Sequence, residues 1–342
     1  MKTVRPQGVV PHSRPWITEA DADAIQASLT STMVAEWEAT RKLEDEAARY
    51  LGQAGGVATP DGTTALFLTL RALEIGAGDE VVIPTYVCEA VMQAVRWTGA
   101  TPVLCDVGDD WCVNVRTVRD KLTSRAKAVV VVHTFGIVAD TRPIVEEGVP
   151  VIEDLAQAFG AEASTGRAGG FGTFSITSFH ATKCLTTGEG GMAFAREPEL
   201  ADRLHALKKS AYRLPLSDMQ AALGLSQLGR YRDFLERRNA IAARYDREIR
   251  GRFGRPESIS GRTMHYRYPI LLEDGEVPDV MAEFHSQGVL VRRGVDALLH
   301  TTGEFPGAET AFQRTLSLPI HPSMTSPEVD RVIEVANRVL GY

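Results

Sequence analysis

At 342 residues, 44% of them hydrophobic, the chain is long enough for one large domain and a smaller one, and its 37 basic against 44 acidic residues leave a net charge of −7 without a long run of either sign. That balance excludes a nucleic-acid binder, whose phosphate contacts need clustered Lys and Arg. Four dispersed cysteines without a Cys-x-x-Cys pair, no paired histidines at metal spacing, no apolar core of signal-peptide length in residues 1–15 and no run of 18 apolar residues point to a soluble, cytoplasmic protein with neither metal site nor membrane segment.

In chain order, the pattern predicts a helix over 17–29, capped by Thr18 with Glu19 and Asp21 in its first turn, and a second over 37–51. The piece Thr59-Pro60-Asp61-Gly62-Thr63-Thr64 then sets a glycine and hydroxyls directly before a helical pattern over 65–75, as in a helix N-terminus built to hold a phosphate. From 62 to 201 helical and strand patterns alternate, with strands at 81–83, 103–106 and 128–133 and a helix at 89–97 stopped by Gly99. This is an α/β pattern, a mainly parallel sheet with helices on both faces. The unalternating Val129-Val130-Val131-Val132 predicts a strand covered on both sides.

A further apolar strand ends in Glu153-Asp154, with Gln157 three residues on. An aspartate at the carboxyl end of a buried strand lies where open α/β sheets take ligands. The stretch 173–192 reads as a strand that hands a single lysine, Lys183, to a turn closed by Gly188, Gly190 and Gly191. Its sequence neighbours are small, hydroxyl-bearing or apolar. Such surroundings would disfavour the ammonium form and leave an amine able to attack a carbonyl, the plain alternative being an idle loop lysine. With Asp154 it fits pyridoxal phosphate, whose ring nitrogen needs a carboxylate to stay protonated so that the ring can accept electrons.

From 210 the chain is helical, with Ser217-Asp218 opening a long helix and a charged stretch over 230–250. The last third predicts a strand over 266–272, a helix over 279–287, a strand over 289–292 and a final helix from Pro327. The division expected is a large cofactor-binding domain over 1–250 and a small α+β domain over 251–342.

These segments resemble, in order from about Pro11 to the C-terminus, the DegT/DnrJ/EryC1/StrS family of fold-type-I, pyridoxal-phosphate-dependent sugar aminotransferases. The resemblance is carried by the Gly62-Thr63 loop, Gly78-Asp79-Glu80-Val81-Val82-Ile83-Pro84, Glu153-Asp154, Ser178 to Lys183, Gly188-Glu189-Gly190-Gly191 and Ser217-Asp218-Met219-Gln220-Ala221-Ala222-Leu223-Gly224. It implies that Lys183 holds the cofactor, that Asp154 faces its ring nitrogen, that Gly62, Thr63 and Ser178 hold its phosphate, and that Gln157 stands near its phenolic oxygen.

The chain departs from the family at four places. Where relatives place an aromatic over the ring stands Cys88, so either Tyr86 or Cys88 covers the ring face. Arg213 and Pro215 replace an asparagine and an arginine, and Arg213 is either a donor to the phosphate of a neighbouring subunit or a surface arginine. Trp37 stands near a family glycine, as a core or interface aromatic or as a reshaped substrate mouth. His133 and His180 read as structural.

The activity implied is transfer of an amino group from an amino acid, glutamate or glutamine, to a keto-sugar, nucleotide-linked, in amino-sugar or antibiotic biosynthesis, by a homodimer with shared active sites. The alternatives are a keto-cyclitol acceptor in aminocyclitol antibiotic biosynthesis and a non-catalytic regulator or binding protein retaining the fold. Arg41, Arg292 and Arg293 are candidate partners for a substrate diphosphate.

Overall fold

The computed structural model describes residues 8–255, 264–273, 276–301 and 303–341. Its larger sheet has seven strands in the spatial order Gly55–Thr59, Gly191–Ala195, Phe174–Ser178, Val151–Asp154, Ala126–Val132, Glu80–Pro84 and Thr101–Cys105. Gly191–Ala195 runs antiparallel to both of its neighbours, and the remaining pairs are parallel. Both faces are covered: Val130 and Val132 pack in one apolar cluster, Val129 and Val131 in another, as the unbroken valine run requires.

Register decides what gathers at the carboxyl edge. Asp154 pairs with Ile176 and Val132, and Gly191 pairs with both Ser178 and Thr59. The turns leaving Thr59, Ser178 and Asp154 therefore emerge side by side, at the edge where open α/β sheets take ligands.

Two helices that frame this edge begin with side-chain caps. Asp61 accepts from Thr64 N at 2.7 Å to open the helix Gly62–Ala72. Asp218 caps Glu38–Leu51 from 180 residues away in sequence, its carboxylate accepting from Trp37 N (2.7 Å), Ala39 N (3.0 Å), Thr40 N (3.0 Å) and Thr40 Oγ1 (2.8 Å). Trp37 is thus fixed by its backbone while its ring stays 48% exposed, with the Arg41 guanidinium 5.2 Å from the ring centre. It is not the core aromatic that one expectation made it.

The C-terminal unit is a four-stranded antiparallel sheet in the order Phe253–Gly254, Tyr268–Leu272, Thr315–Leu318, Arg292–Arg293. Its apolar core takes in Val10, Ile241, Ala242, Tyr245 and Ile249 as well as residues beyond 268. The boundary expected at 250 therefore cuts through a packed core: the apolar face of the helix Tyr231–Glu248 and the segment around Val10 side with the smaller unit. Val10 bridges to Val289, and Arg14 pairs with Glu328 at 2.8 Å. No helix among the described residues is long and apolar enough to cross a membrane.

Candidate active site

A cavity of about 310 Å³ opens at this edge, with Asp61, Gly62, Thr63 and Ser178 at one end and Asp154, Cys88 and Lys183 among its other walls. The Gly62 end is a tight cradle. A Cβ on Gly62 would lie 2.9 Å from Ser178 Cβ, and one on Gly191 would lie 2.6 Å from Gly62 N, so only glycines let these turns meet. Asp61 has taken the Thr64 amide, and the amides of Gly62 and Thr63 find no acceptor in the chain among the described residues. Two free amides at a helix N-terminus with a hydroxyl opposite fit a phosphate. Arginine is absent from this cavity's lining.

Asp154 is 6% exposed and, among the described residues, its carboxylate accepts a single hydrogen bond, from Ala156 N at 2.8 Å. Burial pushes its pKa up, and the Ala156 amide, Lys183 and His133 only partly offset this. A carboxylate left short of positive charge in a ligand cavity fits a protonated ring nitrogen.

Lys183 overturns one expectation. Burial pushes its ammonium toward neutrality, but Tyr266, Cys88 and Asp154 outweigh that and hold its pKa above the ordinary lysine value. The apolar character of its sequence neighbours does not carry over to its neighbours in space, which are acidic.

The strand alternation sends Glu153 to the side of the sheet opposite Asp154, where it is fully buried. It accepts from Phe171 N (2.8 Å), Gly172 N (2.6 Å), Gly169 N (3.0 Å) and His133 Nε2 (2.8 Å). Ala139 N donates to His133 Nδ1 at 3.0 Å, so the proton of the neutral ring sits on Nε2. His133 is structural, as expected. Gln157 Oε1 accepts from Phe135 N at 2.9 Å, which leaves its amide hydrogens for a ligand.

A second cavity of about 220 Å³ shares Lys183, Cys88 and Thr182 with the first and adds Gln157, Tyr266 and Arg267. The structure thus brings together Lys183, Asp154, Gly62, Thr63, Ser178, Cys88 and Gln157. It leaves out two residues of the expected set. Tyr86 is 1% exposed in a cluster with Phe135 and Trp111 and lines neither cavity, whereas Cys88 lines both. Arg213 stands with Trp37, Arg41 and Lys209 in a separate cavity of about 670 Å³. There it ends a π-helical turn, Lys208–Tyr212, in the left-handed conformation (φ 45°), which is strained for a side chain that is not glycine.

Tyr266 and Arg267 went unremarked as site residues, because their alternating pattern spoke only of a strand. Glu189 and Thr182, which also line the first cavity, stand within the lysine segment and had the same signal as Lys183.

The sequence is similar to dTDP-4-dehydro-2,3,6-trideoxy-D-glucose 4-aminotransferase of Saccharopolyspora spinosa, 32% identical with 96% of each chain covered. Among solved structures, the aminotransferase TlmJ of Streptoalloteichus hindustanus is 31% identical and superposes with a TM-score of 0.88 over 97% of this chain and 98% of that one. The PLP-form of Spr1654 from Streptococcus pneumoniae, 26% identical, gives 0.88 over 97% of this chain and all of that one (100%). Residues 15–337 match the DegT/DnrJ/EryC1/StrS aminotransferase family, and the chain belongs to that family of pyridoxal-phosphate-dependent enzymes.

Proposed function

We propose that this protein transfers an amino group from an amino acid, glutamate or glutamine, to the keto group of a nucleotide-linked sugar, as a cytoplasmic homodimer. The observation that carries the reading is the convergence of Lys183 and Asp154 on one cavity whose other end is the Gly62, Thr63 and Ser178 cradle. The Saccharopolyspora spinosa relative is named for a dTDP-linked keto-sugar, which supports that acceptor class.

When bound, pyridoxal phosphate supplies the electron sink for the carbanion formed at the amine-bearing carbon. The protein's part is positional. The amides of Gly62 and Thr63 and the Ser178 hydroxyl hold the phosphate, Asp154 keeps the ring nitrogen protonated, Gln157 donates to the phenolic oxygen, and Cys88 lies against the ring. Lys183 Nζ holds the cofactor covalently at rest and, once released, takes and returns the proton at the substrate carbon.

The cradle holds amides, hydroxyls and the Asp61 carboxylate but no guanidinium, so a dianionic phosphate there lacks a fixed cation from its own subunit. Arg213 of a second copy supplies one in this reading, which accounts for its strained presentation away from its own chain's cavity.

Borohydride reduction followed by peptide mapping tests the centre of the proposal: the cofactor mass is expected on Lys183, and a mass on another lysine, or none after reconstitution, refutes it. For the acceptor, free nucleoside diphosphates are expected to inhibit the second half-reaction. No inhibition at millimolar concentration, with amination of a free keto-cyclitol, transfers the assignment to cyclitols.

A further inference from the structure

Gln157 can serve the cofactor in one orientation of its side chain and not in the other. A carboxamide has an acceptor end and a donor end of nearly equal size, and only the donor end can hold an anionic oxygen. Gln157 Oε1 accepts from Phe135 N at 2.9 Å, so a main-chain amide from the turn after the strand Ala126–Val132 takes the acceptor end and sends the donor end the other way.

That amide is aimed by an uncommon backbone. Phe135 stands at φ 57° and ψ 15° inside the 3-10 turn Thr134–Gly136, a left-handed conformation that is costly for a bulky residue and persists only where its surroundings hold it. The surroundings do so from several sides. Ile137 N closes the turn on Thr134 O at 2.9 Å, Thr134 Oγ1 donates to Trp111 O at 3.1 Å, and Ala139 N donates to His133 Nδ1 at 3.0 Å. The Phe135 ring is fully buried and meets Trp111 and Tyr86 edge-on, with ring centres 5.2 and 6.3 Å away. Gly136 follows at φ 88°, where a Cβ would lie 2.7 Å from Met264 O, so the turn is also clamped against the segment that leads to Tyr266.

The ring and the amide are linked through a single rotation. Since φ turns about the bond from the amide nitrogen to Cα, an anchored ring and a fixed φ together decide where the N–H points. An ordinary helical φ near −63° would swing that N–H through about 120° relative to the ring and away from Gln157.

We propose that Phe135 is a positioning residue for the reaction: its left-handed backbone, locked by the buried ring, holds the Gln157 carboxamide with its NH₂ toward the ligand. The inference rests on the reading that puts Gln157 at the cofactor's phenolic oxygen and adds what fixes its orientation.

The test compares Phe135→Ala with Phe135→Gly. Both delete the ring, but glycine adopts this φ freely and alanine does not. One readout is the affinity of cofactor-free protein for pyridoxal phosphate by equilibrium dialysis. The other, on holoenzyme, is the pH midpoint of the bound cofactor's visible absorbance, which a donor at the phenolic oxygen lowers by favouring the ionised oxygen. Gln157→Leu sets the scale: its midpoint should rise by about 0.5 to 1 unit, the range of one neutral hydrogen bond, and its affinity should weaken roughly 3- to 10-fold. Phe135→Ala is expected to show most of both changes and Phe135→Gly the smaller part of them. A ring that only fills space predicts the reverse order, because glycine is otherwise the more disruptive residue, so an alanine variant as close to wild type as the glycine variant, or closer, overturns the proposal. Where loss of the ring unfolds the chain, hydrogen exchange in cofactor-free Gln157→Leu provides the second measurement. The Phe135 amide, deprived of its acceptor, should exchange roughly tenfold faster than in wild type, and unchanged exchange overturns the proposal as well. A Gln157→Leu enzyme with neither midpoint nor affinity altered refutes the placement of Gln157 at the cofactor itself, whereas an altered Gln157→Leu with Phe135→Ala no worse than Phe135→Gly refutes only the positioning role.

Discussion

Glu153→Gln exchanges one oxygen for an amide and leaves shape and volume nearly untouched, which isolates the carboxylate's role. In the wild type Oε1 receives the amides of Phe171 and Gly172, and Oε2 receives the Gly169 amide, the His133 ring and, at 3.4 Å, the Thr141 hydroxyl. Whichever oxygen becomes NH₂, it faces at least two donors that cannot turn away. His133 cannot relieve the second arrangement by changing tautomer, because its Nδ1 already accepts from Ala139 N. Two buried donors left without acceptors cost about 1–3 kcal/mol each, so a loss of about 4 kcal/mol is expected. It should appear as a lower urea midpoint at unchanged slope, measured on cofactor-free protein.

The deficit also has a pH signature. Burial alone would raise the pKa of Glu153, but the His133 hydrogen bond and the amides of Gly172 and Phe171 outweigh it and hold the folded value below the ordinary one. A depressed folded pKa stabilises the fold above the unfolded value of about 4.3 and loses that contribution as pH falls through the folded value. The gap between wild type and Glu153→Gln should accordingly narrow below about pH 4. A loss under about 1 kcal/mol at neutral pH, or a gap that widens in acid, would refute the assignment of these donors to an ionised carboxylate.

Asp154→Asn should bind the cofactor and keep its fold while turnover falls roughly 100- to 1,000-fold, since an amide no longer keeps the ring nitrogen protonated; near-normal activity would mean that another carboxylate does this. Gly62→Ala places a Cβ 2.9 Å from that of Ser178, so the cradle must open, and equilibrium dialysis should show cofactor affinity weaker by roughly 10- to 100-fold. An affinity within twofold of wild type would show that the Gly62 amide is not part of the phosphate site. If Arg213→Ala proves inactive, mixing it with inactive Lys183→Ala should restore roughly a quarter of wild-type activity, because random exchange makes half the dimers mixed and each mixed dimer has one intact site. No recovery despite demonstrated exchange would place Arg213 in its own subunit's site or outside the chemistry.

Asp154 and the Gly62 loop were legible because one ends a strand and the other opens a helix, and Lys183 because it lies in the glycine-closed turn that follows the strand Phe174–Ser178. Asp154 follows an apolar run, and the glycine and hydroxyls precede a helical repeat, so local sequence and sheet edge carry the same information. The turn Pro84-Thr85-Tyr86-Val87-Cys88 has no such period, and nothing in it tells which side chain turns to the ligand. The packing of Tyr86 against Phe135 and Gly294 keeps it out of the cavity that Cys88 lines.

What stayed hidden arrives from far along the chain. Tyr266 lies more than 80 residues past Lys183, yet after burial it is the largest influence on the lysine's pKa and pushes it up, and a one-dimensional reading had only the small and apolar residues flanking it. Trp37 and Arg213 show the same limit in reverse. Each was singled out for departing from a family pattern, and they meet in one cavity away from Lys183: an indole pinned by the distant Asp218, and an arginine forced to positive φ by the π-helical turn before it. A strained backbone persists only where its surroundings hold it, and here Lys208 is buried against Glu44 and Glu36 while the Tyr212 hydroxyl accepts from Arg71 Nε at 2.9 Å. Because Arg71 belongs to the helix that opens with the Gly62 cradle, the turn carrying Arg213 is hydrogen-bonded to the same helix whose N-terminus forms that cradle.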